Sequence, residues 1–356
     1  MSYMRGAISA VLLCAIAMAM AWSVLLARPS GPFRELVPDS VAELKVAALQ
    51  MEYDGGDAGA KWEEIARRSP RDSASRIRLG LLAEQRGDTV AAERWLRAAY
   101  EVDHQFEPRW TLANFYFRQG RVAEFWTWIH SALEISYGDR SPAFDLCWHL
   151  SDKAGEVQTR AIPPRAEVAE AYLLYVLDRH PEAISGAARA VRAPELLLGT
   201  VDRLIELARF DEAVETWQRA GRDTPRGISG ARFEEPQTGR GFDWRFARVE
   251  GVTQTSLDAG RGHRIHLTGN QPETAELLRQ YAGGLTPGMR YQLRVESDGD
   301  AHAFEWRVGG DVIAAGGEFR ASGAVVPITL SYHRPLGEMR AEGTLDLREV
   351  KLLAAQ

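Results

Sequence analysis

The stretch "GARFEEPQTGRGFDWRFARVEG" at residues 230–251 marks a change of period. Upstream of it, apolar residues recur at helical spacing. Within it, Phe242, Trp244 and Phe246 alternate with Asp243 and Arg245, and glycines punctuate the run. Successive side chains of a strand point to opposite faces, so this alternation reads as a strand with one buried side. The chain is therefore expected to be helical before this point and β after it.

Downstream, "FEWRV" at 304–308 repeats the form, with Phe304, Trp306 and Val308 against Glu305 and Arg307. "HRIHL", "YQLRV", "PITLSY" and "GTLDLREVKLL" add further strands, separated by the turn signals "DAGRG", "TPGM", "SDGD" and two Gly-Gly pairs. Short strands with regular turns predict an antiparallel β-sandwich over 228–356. Trp244 and Trp306 share the apolar side and are expected in its core.

Upstream, residues 41–224 carry a repeat. Gly87 and Gly120 are 33 positions apart, as are Leu79 and Leu112, Gly80 and Ala113, and Ala99 and Ala132. Small residues at these offsets let two antiparallel helices approach, with the glycine at the turn. The pattern resembles the tetratricopeptide repeat, with a period of about 34. Two weaker copies follow, around Ala171–Ala190 and Leu204–Ala220. A segment with a Pro-Pro break at 163–164 interrupts the series. The chain around "VAELKVAALQMEYD" and "GAKWEEIARRSP" is expected to form a capping pair. Phe125 stands where the family favours a small residue, as at Ala92, and suggests looser packing there.

In this family the first helix of each pair lines a concave groove. Carried over by register, the resemblance places Glu84, Gln85, Trp110, Asn114, Phe117 and Arg118 in a partner-binding groove. Aromatic residues at helical spacing are more often core. Even so, Trp110, Phe115, Phe117, Phe125, Trp126 and Trp128 are too many for one inward stripe.

The first 28 residues read as a transmembrane anchor, followed by a linker at 29–40. "AISAVLLCAIAMAMAWSVLLA" at 7–27 holds no charge. At about 1.5 Å per residue it spans about 30 Å, the thickness of a bilayer core. Ala-x-Ala sites at 15–17, 17–19 and 19–21 fall inside the run. An uncleaved anchor, with the body exported, fits better than a cleaved signal, whose apolar core is about 7–15 residues.

The formal net charge is −6, which argues against nucleic-acid binding through a broadly basic surface. The two cysteines, Cys14 and Cys147, lie too far apart in sequence and context to suggest a disulfide framework. No P-loop, nucleophile elbow or His-Glu-x-x-His motif is present, and no catalytic residue is assigned. His263 and His266 fall on opposite faces of a strand and read as surface histidines. Glu234, Asp243, Glu305 and Asp346 are carboxylates of the sandwich, expected to pair with arginines on neighbouring strands. For sugar contact, exposed rings with polar neighbours are needed, and Tyr281 and Tyr332 with Asn270, Gln280 and Arg290 are the candidates.

The order of Phe233–Glu234, Pro287–Gly288, Tyr291, Leu293 and Asp346–Leu352 is similar to the galactose-binding-like jelly rolls, which include many carbohydrate-binding modules. The resemblance implies a structural Ca²⁺ site at Glu234 and Asp346, with no other cofactor. "ANFYFRQGRVAEFWTW", "FDLCWHL", "FDEAVETWQRAG" and "GFDWRF" also resemble a group of bacterial proteins. That group joins a membrane segment, tetratricopeptide-like repeats and this sandwich at exopolysaccharide and cell-envelope loci. What this implies is a multidomain chain, α then β. It would be a non-enzymatic envelope adaptor, its repeats binding a partner protein and its sandwich a glycan or an assembly. The alternative is a carbohydrate-binding protein with the repeats as spacer.

Overall fold

The computed structural model describes Ile16, Met18, Met20 and residues 39–355, apart from 235, 236, 258–260 and 335. The anchor at 1–28 and most of the linker lie outside the described residues, save those three positions, which are helical. Among the described residues no helix is long and apolar enough to cross a membrane.

Twelve α-helices precede ten strands among the described residues. They are α1 (Val41–Tyr53), α2 (Gly59–Arg68), α3 (Ser73–Gln85), α4 (Thr89–Val102), α5 (Phe106–Arg118), α6 (Val122–Ile135), α7 (Ser141–Leu150), α8 (Ala154–Ala161), α9 (Ala166–Arg179), α10 (Ile184–Ala190), α11 (Pro194–Glu206) and α12 (Phe210–Arg219). The chain divides into two compact units, 1–150 and 151–356. The division falls inside the helical stretch, not at the 224–228 boundary that composition suggests.

The first unit begins with the expected capping pair. Ser40 Oγ accepts from Glu43 N at 3.2 Å, and Glu43 Oε2 accepts from Ser40 N at 2.8 Å, a reciprocal cap that starts α1. Asp72 and Asp88 cap α3 and α4 through the N–H groups of Ser75 and Ala91. Two helix pairs, α3–α4 and α5–α6, then repeat the same turn. Gly87 N donates to Glu84 O and Asp88 N to Ala83 O. Gly120 N donates to Phe117 O and Arg121 N to Tyr116 O. Both glycines take positive φ, +80° and +67°, so the helix ends in a left-handed residue that a side chain would strain. At Gly80 a Cβ would stand 2.6 Å from the Leu96 side chain, so hydrogen is what lets α3 lie this close to α4. Phe125, by contrast, is fully buried against Phe117 and Trp126, so its bulk is accommodated and the expectation of loose packing there does not hold.

The second unit holds α8 to α12 and the sandwich. The pair α11–α12 closes with the turn already described, but Ala208 occupies the left-handed position at φ +56°. Ala208 N reaches Ile205 O and Arg209 N reaches Leu204 O, both at 2.9 Å.

The strands are β1 (Arg245–Phe246), β2 (Val252–Ser256), β3 (His263–Thr268), β4 (Thr274–Ala282), β5 (Arg290–Gly299), β6 (Phe304–Val308), β7 (Asp311–Ile313), β8 (Glu318–Arg320), β9 (Val326–His333) and β10 (Glu342–Ala354). They form two antiparallel five-stranded sheets, ordered β1-β4-β9-β6-β7 and β2-β3-β10-β5-β8. From β3 onward, β3, β5, β8 and β10 fall in one sheet and β4, β6, β7 and β9 in the other. The core between them holds Trp244, Trp306, Ile265, Leu293, Leu330 and Val350. Trp244 and Trp306 meet edge to face at 6.5 Å, as core placement requires.

The opening stretch is where pattern and structure part. Only Arg245 and Phe246 of "GFDWRF" are in a strand. Phe242 turns to the helices, edge to face with Trp217 of α12 at 5.6 Å, while Trp244 enters the sandwich core. Asp243, expected outside, is buried, and its Oδ2 accepts from the Thr238 N–H at 3.1 Å and hydroxyl at 2.6 Å. Loop hydrogen bonding replaces the strand ladder here, so one-sided alternation fails.

Candidate functional site

The candidate interaction face is carried by α5. Phe106, Trp110, Asn114 and Arg118 recur every four residues and so form one row along the helix. Phe106 and Trp110 stack with ring centroids 6.0 Å apart and planes within 12°. Phe106 is 38% exposed and Trp110 is half-buried, so the stack presents aromatic surface to solvent. Asn114 Nδ2 donates to Trp110 O at 2.8 Å, which fixes its amide on the same row. Phe117 is half-buried and leans on the Phe125 ring at 5.7 Å. Sequence reasoning missed Phe106, although its place four residues before Trp110 signals it.

Glu84 and Arg118, 34 residues apart, come together. Arg118 Nε and Nη2 donate to the two Glu84 carboxylate oxygens at 2.9 and 2.7 Å, and Gln119 Nε2 adds a third bond at 3.2 Å. This fork joins the C-terminal ends of α3 and α5. Both charges are spent on each other, so the pair frames the face. Gln85 lies apart, in a cleft of about 290 Å³ with Glu52, Arg78 and Leu81.

Behind the row, Tyr116 is fully buried and its hydroxyl donates to Glu93 Oε1 at 2.8 Å. Burial, then the Glu93 carboxylate, pushes the phenol up to about 12. Burial alone would raise Glu93, but hydrogen bonds from Tyr116, Arg97 and Arg121 outweigh it and hold the carboxyl below its ordinary range. This network fixes α4 against α5 and α6 without offering a reactive group. The Cys147 thiol is buried and pushed up by that burial, so it is no thiolate nucleophile.

The five glycan candidates do not gather. Tyr332 and Gln280 are fully buried, with Gln280 Nε2 donating to Ser229 O and Phe242 O and the Tyr332 hydroxyl accepting from Ala341 N. Neither reaches solvent, because both point inward on β9 and β4. Tyr281 is half-buried beneath the Arg245 guanidinium at 5.3 Å. Arg290 is exposed in the opposite sheet, paired in register with Arg320, and Asn270 is exposed in the turn after β3.

The calcium candidates also fit poorly. Arg264 grips both Asp346 oxygens at 2.7 and 2.6 Å, and Arg261 stands 3.5 Å from Glu234. A cation would have to displace these guanidiniums. No group of three or more His, Cys, Asp or Glu suited to a metal occurs among the described residues. Of the sandwich carboxylates expected to pair with arginines on neighbouring strands, Asp346 on β10 does so with Arg264 on β3, whereas Glu305 lies against Arg307 of its own strand β6 and His333 of β9. His263 and His266 do face opposite ways, but His263 is buried, against expectation, because β3 turns it to the core side.

No protein-family model matches this chain, and no curated protein is similar to it. Solved structures of helical-repeat proteins are similar in part. One comes from the functional characterisation of Pseudomonas aeruginosa pilF, at 15% identity over 51% of this chain and 75% of that one, with a TM-score of 0.26. A second is YrrB, described as a TPR protein with an unusual peptide-binding site, at 13% identity over 45% and 90%, with a TM-score of 0.24. A third is the P58(IPK) TPR domain, at 13% identity over 51% and 59%, with a TM-score of 0.27. The helix pairs are established by their own turns and spacing.

Proposed function

We propose that this chain is a non-enzymatic adaptor whose helical repeats bind a partner protein through the α5 face. The observation that carries the reading is the partly exposed Phe106–Trp110 stack with Asn114 and Phe117 beside it. Large aromatic side chains next to a fixed polar group are the usual anchors of protein recognition. The Glu84–Arg118 fork holds α3 and α5 in register around it.

The envelope setting belongs to the same proposal. It is supported by the uncharged run at 7–27 and by the resemblance to envelope-associated bacterial chains. The strand order from β3 to β10, with strands shared between two sheets, supports the jelly-roll reading of the C-terminal part. That part would dock on a glycan or on the assembly itself. Burial of Tyr332 and Gln280 leaves the exposed Arg290 and Asn270 and the half-buried Tyr281 as the groups on which a glycan would depend.

The test is site-specific photo-crosslinking in cells, with the reactive residue at position 106 or, as control, at the exposed Val90 on α4. A discrete adduct at 106 that vanishes with Trp110→Ala supports the reading. Equal, diffuse labelling at both positions would sink it. Extraction of the full chain by detergent but not by alkaline carbonate tests the anchor.

A further inference from the structure

In the second unit a cavity of about 600 Å³ opens where α8, the start of α9 and the end of α10 meet. That size is typical of a ligand site. Its walls differ in character. Ile162, Pro163 and Val191 make one side apolar. Arg165, Arg189 and Arg192 bring three guanidiniums, against the single carboxylate Glu170.

The three arginines are not equivalent. Arg165 lies 3.1 Å from Glu167, and Arg189 lies 3.2 Å from Glu215. Arg192 is exposed and has no ion-pair partner among the described residues. Helix α9 starts at the cavity with Ala166 in the wall, and no side chain caps it. The uncapped end adds partial positive charge facing the same space. One more group points to a ligand of mixed character. Gln158 borders the cavity, and its Oε1, shielded from solvent, accepts no hydrogen bond among the described residues. A ligand donor that reached this oxygen would make the missing bond.

We propose that this cavity binds a short acidic peptide segment. A carboxylate would sit on Arg192 and the α9 terminus, a backbone N–H would donate to Gln158 Oε1, and an apolar side chain would lie on Ile162, Pro163 and Val191. The lining contains no aromatic ring, the usual platform for a sugar face, which favours peptide over acidic saccharide. The inference extends the protein-partner reading but uses a surface of its own, so the two fail separately.

The experiment is selection of displayed random hexapeptides on the full-length chain in detergent. Selected peptides are then made and titrated against the wild type, Arg192→Glu, Gln158→Leu and Trp110→Ala. Expected are peptides enriched in Asp and Glu whose binding weakens at least 10-fold in Arg192→Glu, several-fold in Gln158→Leu, and not at all in Trp110→Ala. Far-UV dichroism and thermal melting confirm that each variant is folded. Acidic peptides lost only in Trp110→Ala would assign them to α5 and overturn the cavity site. Failure to enrich acidic peptides, while a glucuronate oligomer binds the wild type and not Arg192→Glu, would overturn the peptide in favour of an acidic sugar. Binding indifferent to Arg192→Glu would overturn the site altogether.

Discussion

Asp202 of α11 accepts two hydrogen bonds with one carboxylate oxygen, from Arg245 Nη2 on β1 at 2.6 Å and from Gly241 N at 2.7 Å. The last helix pair is thereby tied to the first strand. Gly241 is at φ +55°, and a Cβ there would strike the Trp217 ring at 2.6 Å, so the loop lies directly on α12. Arg245 Nε is already buried without an acceptor, so removing Asp202 leaves the guanidinium still less satisfied. Asp202→Ala is expected to destabilise the second unit by about 1–3 kcal/mol, with Asp202→Asn intermediate. Urea denaturation followed by tryptophan fluorescence checks it. A loss under about 0.5 kcal/mol would show that the remaining contacts, the Trp217–Phe242 rings among them, join these parts without Asp202.

Ala208 holds the left-handed position that Gly87 and Gly120 hold in the two earlier pairs. A Cβ at positive φ costs about 1 kcal/mol, and the two turn bonds are main-chain and indifferent to the side chain. Ala208→Gly is therefore expected to stabilise by a few tenths to about 1 kcal/mol, the gain in native strain being partly offset by unfolded-chain entropy. Gly120→Ala should lose about 1 kcal/mol. Thermal melts of both, compared with wild type, decide the matter, and a lower melting temperature for Ala208→Gly would refute the strain argument.

These turns also show what could be read from sequence. Gly87 and Gly120 announced two helix pairs because only glycine takes that φ without strain, whereas the pair around Leu204–Ala220 read only as a weaker copy because Ala208 takes the same φ in place of glycine. "FEWRV" matched β6 residue for residue, since β6 lies between β9 and β7 with one face on the core. The polar β2 and the three-residue β7 and β8 went unread, because edge strands need little apolar patterning. Burial of Tyr332 and Gln280 was equally illegible. The Gln280 Nε2 donates to main-chain oxygens of Ser229 and Phe242, far along the chain, and the Tyr332 hydroxyl accepts from Ala341 N, partners that spacing does not reveal.

The Glu84–Arg118 fork offers a separation of framework from recognition. Its members are partly exposed, with side-chain accessibilities of 15% and 44%, so solvent screens the attraction. A double-mutant cycle with Glu84→Gln and Arg118→Gln is expected to give a coupling of about 0.5–1 kcal/mol. Crosslinking at position 106 should weaken in each single variant if register between α3 and α5 matters for the partner. Unchanged crosslinking would confine recognition to α5.

His263 gives the sandwich a dependence on pH. Its ring stacks on Phe246 at 4.3 Å and faces Phe233 at 5.6 Å, and its Nε2 lies 2.9 Å from Gln254 Oε1. Gln254 Nε2 donates to Ala247 O and Leu277 O, so its oxygen must accept and His263 Nε2 must donate. Protonation would then place a charge on Nδ1 among aromatic rings. Burial accordingly pushes His263 down to about 4 from an ordinary 6.5. The unfolded chain takes up this proton as pH falls through about 6.5, while the folded one does not until about 4. Within that window the unfolded state binds more protons, so stability falls as pH falls. Between pH 7 and pH 5 the loss from this residue is about 2 kcal/mol. Urea midpoints at the two pH values should differ markedly for wild type and much less for His263→Phe, which keeps the ring but cannot titrate. An equal drop in both proteins would trace the effect to other groups.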